Sequence, residues 1–101
     1  MTLRFTERAN DEIQQAVFRY GASSRYRVES FLRRYRVALQ RIQANPVSYP
    51  LEESAGGREI RSISIDRFPY SIIYEVLGEL VVVLALWHHH GLGENWSRRE
   101  G

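Results

Sequence analysis

The feature that constrains the fold most is a set of seven apolar residues in the middle of the chain that recur at regular intervals. Its members recur in steps of three and one, which is the spacing of one face of an α-helix. Asn45-Pro46 follows directly, and the residue before a proline is driven out of the helical conformation, so the helix is predicted to end there. The row consists of Val28, Phe31, Leu32, Tyr35, Ala38, Leu39 and Ile42.

A shorter helix is predicted directly before it. Thr6 offers a hydroxyl to the first free amides, and Glu7 places a negative charge in the first turn. Gly21 is predicted to end this helix, and Ser23 or Ser24 to cap the next one. Helices joined by so short a turn pack as an antiparallel hairpin. The apolar face of the first helix consists of Ala9, Ile13, Ala16, Val17 and Tyr20.

Four further segments have the composition of strands, because they alternate or are rich in β-branched and aromatic residues. The last of them is almost entirely apolar, so we expect it at the centre of the sheet and covered on both faces. A turn at residues 77–79 joins it to the preceding strand as a hairpin. Residues 47–57 are predicted to be a connecting loop. The predicted strands are residues 2–5, 58–65, 68–76 and 80–87.

Together these elements predict an α+β fold in two layers, in the order β-α-α-β-β-β. An antiparallel-rich twisted sheet carries the N-terminal helical hairpin packed on one face. A chain of 101 residues suits a single domain, residues 1–101. The sequence has no cysteine, no apolar run long enough to cross a bilayer and no signal-peptide pattern. We therefore expect a cytoplasmic protein that does not associate with membranes.

All 14 basic residues are arginine. The planar guanidinium fork suits carboxylates and phosphates, so this composition allows an acidic protein or a nucleic acid as a partner. The codon usage of a GC-rich genome is the alternative explanation of the bias.

Four segments, in this order, resemble the RelE/ParE superfamily of toxins from type II toxin–antitoxin systems. The ordered set carries the likeness, and it spans almost the whole chain. Residues 3–9 are similar to the opening strand and capped helix, and residues 38–46 to the end of the second helix with its proline stop. Residues 60–63 with 67–76, and then residues 81–88, are similar to the later strands.

The resemblance implies a bacterial toxin that arrests growth, serves functions such as plasmid maintenance and is neutralised by a cognate antitoxin, ParD-like or similar. The resemblance implies that such a toxin contacts operator DNA only through the antitoxin. It implies no cofactor. ParE-like members inhibit DNA gyrase, whereas RelE-like members cleave messenger RNA inside the ribosome. The antitoxin-binding candidates, taken from the two helices, are Val17, Tyr20, Arg33, Arg34 and Arg41.

The basic residues that RelE-like members use for cleavage are not matched in this sequence. Attack by a 2′-hydroxyl requires proton transfer and cations beside the phosphorane. The resemblance places Ser71 at one of these positions, and those on the preceding strand map near Ser62 and Ser64, all uncharged. Residues 88–91 also lack the family's arginine pair. The chain is therefore more similar to ParE-like members, and gyrase binding is the first hypothesis. A ribosome-dependent endoribonuclease is the second, and a decayed toxin that retains only antitoxin binding is the third.

A nuclease would have to use other basic residues. Two histidines make at most half of a zinc site, and no cysteine completes it, so no metal is expected and a polar strand end is the simplest interpretation. As general acids or bases, however, imidazoles suit neutral pH. The catalytic candidates are Arg61, Arg67, His88, His90 and Arg98.

Other residues are candidates for contacting the target. Tyr70 and Tyr74 lie four apart and share one face of a strand, where most such pairs are core or cross-strand packing. Trp96 follows a polar stretch and is expected to pack back onto the domain. The target-binding candidates are Tyr70, Tyr74, His89, Trp96 and Arg99.

Overall fold

The computed structural model describes residues 1–52 and 56–89. It confirms the α+β fold, with the N-terminal strand, the helical hairpin and the later strands in the predicted order. The elements are β1 (Thr2–Phe5), α1 (Glu7–Ser23), α2 (Arg25–Ala44), a 3₁₀ turn (Pro46–Ser48), β2 (Ile60–Ser64), β3 (Tyr70–Leu77) and β4 (Leu80–His88).

A single serine separates the two helices. The backbone N–H of Ser24 donates to the carbonyl of Tyr20 as α1 ends, and its hydroxyl accepts from the N–H of Arg27 as α2 begins. Gly21 lies inside α1, so the predicted stop was wrong by two residues. Glycine permits a helix to end but does not force it, and the extended backbone of Ser24 (φ −170°, ψ 140°) makes the break.

The strands form one mixed sheet in the order β1-β4-β3-β2. The nearly apolar β4 therefore lies inside the sheet, as its composition predicted, with β1 parallel and β3 antiparallel to it. The β3–β4 turn is tighter than predicted, because Leu77 still pairs with Leu80 and Gly78 turns the chain with φ 62°. β3 begins at Tyr70 rather than Phe68, since the intervening Pro69 has no N–H to donate.

The segment before β2 is more ordered than a plain loop. It begins with the 3₁₀ turn, and Leu51 then forms a bridge with Arg61. The N–H of Glu52 donates to the carbonyl of Ile60, and the N–H of Ser62 donates to that of Pro50. These bonds cover part of the outer edge of β2. Within the described residues, no helix has the length and apolarity needed to cross a membrane.

A bulge in β4 decides which of its side chains face the helices. Tyr74 pairs with Val83 and Ile73 pairs with Ala85, so Leu84 is an extra residue without a partner in β3. The extra residue reverses the alternation of the strand. As a result, odd-numbered residues face the helices before the bulge, and an even-numbered residue, Leu86, does so after it.

Buried side chains form two clusters, one on each face of the sheet. The larger one lies between the sheet and both helices, and we call it the helix-side core. The smaller one contains strand residues alone: Ile60, Ile73, Leu84 and Ala85, with Val82 and Trp87 packed against them. We call this opposite side the outer sheet face; by the strand register it also carries Ser62, Ser64 and Ser71.

Candidate functional site

Hydroxyl groups line one end of the outer sheet face. Ser64 and Ser71 are cross-strand partners whose hydroxyl oxygens lie 3.4 Å apart, and the Ser71 oxygen lies 2.7 Å from Nε2 of His89. Ser62 is half-buried one step further along β2. These groups can donate and accept hydrogen bonds but carry no fixed positive charge. Stabilising a phosphorane requires such a charge, and the serines do not supply it.

The nearest arginine in sequence to these serines, Arg61, is already engaged. Its Nε lies 3.0 Å from Oε2 of Glu59, and its Nη1 donates to the carbonyl of Tyr49 at 2.6 Å. Only 15% of its side chain is exposed. This catalytic candidate therefore ties β2 to the preceding segment, and the structure gives it a supporting role.

Arg67 differs from Arg61 because it is exposed in the β2–β3 turn. Its backbone has φ 68°, the left-handed region that non-glycine residues enter uncommonly. Two backbone bonds close the turn, from the N–H of Ile65 to the carbonyl of Tyr70 and from the N–H of Phe68 to the carbonyl of Ile65. The exposed Arg67 therefore stays a candidate for the cation that RNA cleavage would require.

The histidines at the end of β4 face opposite sides. The ring of His88 packs edge-on against Tyr70, with centroids 4.9 Å apart, whereas His89 bonds to Ser71 on the outer sheet face. The imidazole beside the serines is therefore His89, which the sequence had suggested only for target binding. His90, Trp96, Arg98 and Arg99 lie outside the described residues. The described residues hold no group of three side chains suited to a metal ion.

The two tyrosines of β3 belong to the helix-side core, which removes them from the target-binding candidates. Tyr74 is fully buried and donates to the carbonyl of Pro46 at 2.5 Å; burial raises its pKa to about 12. Tyr70 is 4% exposed, and its hydroxyl accepts from Nη1 of Arg19 at 3.0 Å. Burial raises the pKa of Tyr70 as well. Neither ring has a free surface on which a target could stack.

The antitoxin-binding candidates fall into two groups. Tyr20 is 7% exposed and packs against the rings of Phe31 and Phe68, as its position on the apolar face of α1 predicted, so it offers an antitoxin almost no surface. Val17 is half-buried against the same core. Arg33 and Arg41 are exposed, and Arg34 is partly buried.

The outer surface of α2 is strongly basic. The helix carries six arginines and one acidic residue, Glu29, whereas α1 carries two arginines and three acidic residues. Arg25 pairs with Glu29 at 3.3 Å, and the guanidinium of Arg27 lies 5.2 Å from the centroid of the Tyr20 ring. Three further exposed arginines of α2 have neither an ion pair nor an aromatic ring contact within residues 1–52 and 56–89: Arg33, Arg36 and Arg41.

Comparison with known proteins identifies the family to which the chain belongs. The family model of the ParE toxin of the type II toxin–antitoxin system parDE matches residues 3–92. The chain belongs to the ParE toxin family. A solved structure described as the chromosomal ParDE TA system from P. aeruginosa has the same fold, with a TM-score of 0.63 and 19% sequence identity. The match covers 87% of this chain and 95% of that one. No curated protein matches the sequence.

This ParE-family chain also exposes two large aromatic residues near the tip of its helical hairpin. Phe18 of α1 is 80% exposed and Tyr26 of α2 is 76% exposed. Phe18 lies in a broad depression of about 820 Å³ whose other described walls also come from α1, among them Gln14, Gln15 and Arg19. Exposed aromatic groups beside polar ones are typical of protein-binding surfaces.

One buried residue that positions the ParE-family sheet was missed by the sequence patterns. Oε1 of Glu12 accepts from the backbone N–H of Leu86 at 3.1 Å, beyond the point where β1 ends, and lies 3.4 Å from Nε of Arg8. A carboxylate thus supplies the acceptor that a longer β1 would have given. The available signal was an acidic residue inside the apolar row of α1, between Ala9 and Ala16.

Proposed function

We propose that this chain is a growth-arresting cytoplasmic toxin, folded as one domain over residues 1–101, that acts by binding DNA gyrase. The observation that carries the proposal is the row of serines on the outer sheet face. Ser62, Ser64 and Ser71 stand at or near the places where the RelE-like relatives have basic residues. Arg61, their neighbour in sequence, pairs with Tyr74 on the helix side and is bound to Glu59 and Tyr49. Binding to a protein target does not need the missing cations, whereas RNA cleavage does.

A cognate antitoxin, ParD-like or similar, is the proposed neutralising partner. Two features support it: the similarity to a solved structure described as a ParDE system, and the basic outer surface of α2. Exposed Arg33 and Arg41 suit an acidic antitoxin segment, since guanidinium groups pair well with carboxylates. Contact with operator DNA then occurs through the antitoxin.

The test is gyrase supercoiling of relaxed plasmid with the purified, antitoxin-free chain added. We expect loss of supercoiling, with trapped DNA breaks, and recovery when the cognate antitoxin is added first. The matched control is the same chain saturated with antitoxin before mixing. Unchanged supercoiling in the presence of folded protein contradicts the gyrase proposal.

The second candidate function is ribosome-dependent cleavage of messenger RNA, and one contact favours it. The bond between Ser71 and His89 places an imidazole, the commonest general acid or base, on the face where the RelE-like catalytic residues lie. If supercoiling is unchanged, cleavage of ribosome-bound RNA that is lost in His89→Ala or Arg67→Ala supports this function. Growth that is unaffected by expression leaves antitoxin binding as the remaining role.

A further inference from the structure

A small cavity lies between the outer part of α2 and the C-terminal end of β2. Its volume is about 90 Å³, far below the roughly 300–1,000 Å³ of pockets that hold whole small-molecule ligands. It therefore has room for one chemical group and not for a nucleotide. Its walls are Arg34, Val37, Ala38, Arg41, Ser64 and Asp66.

The first sign of a ligand is an unused hydrogen-bond donor. Nη1 of Arg34 pairs with Oδ2 of Asp66 at 2.5 Å, which fixes the guanidinium plane. Nε of Arg34 is buried and has no hydrogen-bond partner. Buried donors are nearly always bonded, and a guanidinium presents its donors in a fixed fork. Arg34, which lines the cavity, therefore has hydrogen-bonding capacity that its pair with Asp66 does not use.

The second sign is the charge of the cavity. Arg34 and Arg41 contribute two positive charges and Asp66 one negative charge, which leaves one positive charge to be matched. Arg41 is exposed and forms no ion pair within the described residues. A group with a single negative charge balances the site, whereas a phosphate dianion would leave it with an excess negative charge.

The remaining walls favour a carboxylate on an aliphatic stem. Val37 and Ala38 form an apolar side, which suits the methylene groups of an acidic side chain. Val37 is 39% exposed, so part of that apolar surface is open to an approaching partner. Ser64 belongs to the strand-side wall, while its hydroxyl lies on the outer sheet face beside Ser71.

We propose that this cavity binds the carboxylate of an acidic side chain from a protein partner. The carboxylate pairs with the guanidinium of Arg41 and lies beside that of Arg34, which Asp66 holds in place. That the partner is the antitoxin rests on the proposed function; that the cavity selects a carboxylate does not.

The site is tested by NMR on the purified full-length chain labelled with ¹⁵N. The Nε–H signals of arginine are followed while sodium acetate replaces sodium chloride at constant ionic strength. We expect saturable shifts of the Arg34 and Arg41 signals, with the exposed Arg36 signal unchanged. The shift at Arg34 should be lost in Arg41→Gln and retained in the control Arg36→Gln. Both variants keep the Arg34–Asp66 pair, and their amide spectra report folding.

Three results would overturn the assignment. Equal shifts at Arg36 mean that acetate binds arginines indiscriminately, and absent shifts mean that the cavity takes no carboxylate. Dimethyl phosphate carries the same single charge, so a saturable response to it in place of acetate would identify a nucleic-acid phosphodiester site.

A second measurement separates the site from the proposed function. Antitoxin affinity is compared for Arg41→Gln and Arg36→Gln, and we expect a loss of at least about tenfold for the former only, in line with breaking a close charge pair. If acetate binds but antitoxin affinity is equal in both variants, the antitoxin is not the partner. Neither measurement depends on gyrase inhibition. A negative result in the supercoiling assay would therefore contradict the gyrase proposal without affecting the assignment of the cavity.

Discussion

Ile72 and Ile73 are neighbours in β3 and point to opposite faces of the sheet, yet their surroundings have little in common. Ile72 lies in the helix-side core with residues from both helices. Among the described residues, Ile73 lies in a cluster of strand residues alone. Both are buried almost completely, at 0% and 2% exposure. Burial of the side chain alone therefore does not distinguish the two faces; the described neighbours of each isoleucine do.

The helix-side core is dominated by aromatic rings that contact one another. Phe31, which is fully buried, lies 5.2 Å from the Tyr20 and Phe68 rings and 5.6 Å from the Tyr70 ring, measured between centroids. The outer sheet face instead passes from a few aliphatic side chains to hydroxyls. Ser62, Ser64 and Ser71 lie on this second face.

The largest expected effect comes from truncating the two isoleucines separately. Ile72→Ala should lower the free energy of unfolding by about 4 kcal/mol and Ile73→Ala by about 2 kcal/mol. Ile72 packs between the sheet and both helices, which hold a cavity open, whereas the described neighbours of Ile73 are strand side chains alone. Urea unfolding followed by circular dichroism measures both. Equal losses would break the comparison and show that the outer sheet face is packed as rigidly as the helix-side core.

A smaller effect concerns pH and the ion pair on the outer sheet face. Nε and Nη2 of Arg58 donate to the two carboxylate oxygens of Glu75, at 3.0 and 2.8 Å, and these bonds hold the pKa of Glu75 below its ordinary 4.5. The folded state therefore gains stability above the unfolded pKa, and this gain is lost as the pH falls through the lower folded value. Since Arg58 is 45% exposed, screening limits the gain to about 1 kcal/mol.

Unfolding of Glu75→Gln beside the parent chain, from pH 7 to pH 3, measures that contribution. The parent should be the more stable at pH 7, and the difference should shrink below pH 4.5 as the carboxylate takes up a proton. A difference that stays constant over the whole range would mean that the Arg58–Glu75 pair does not contribute through charge.

The smallest effect is expected at the polar end of the outer sheet face. Ser71→Ala removes the hydroxyl that contacts His89, and because this contact is exposed the free energy of unfolding should change by less than about 0.5 kcal/mol. Ser24→Ala is the matched control, because it removes a helix cap worth about 1 kcal/mol. If Ser71→Ala costs as much as Ser24→Ala, the serines are part of the framework and not a free surface.

Local features of the fold followed from the sequence because they depend on residues a few positions apart. The apolar row of α2, the serine cap before it and the proline after it lie within one stretch of chain, and the helix has those limits. The apolar composition of β4 likewise placed it inside the sheet. The resemblance to the toxin superfamily was confirmed over residues 3–92.

The candidate site was harder to predict, since its contacts join residues that are distant in sequence. Arg34 meets Asp66 across 32 positions, and Glu12 meets Leu86 across 74. The assignment of neighbouring histidines to opposite faces was settled only by the pairing of β4 with β3. Tyr70 and Tyr74 share a face, as predicted, but which face was decided by the helices that cover them.

The sequence by itself determined the helices, the strands and their order, because hydrogen bonding within a turn and the period of apolar residues are local properties. Only the tertiary structure decided which arginines are engaged and which remain exposed, and which imidazole reaches the serines. The physical reason is that these outcomes depend on strand register. A single extra residue, Leu84, reverses which side of β4 faces the helices, and the choice of register is made by packing between segments that are far apart in the chain.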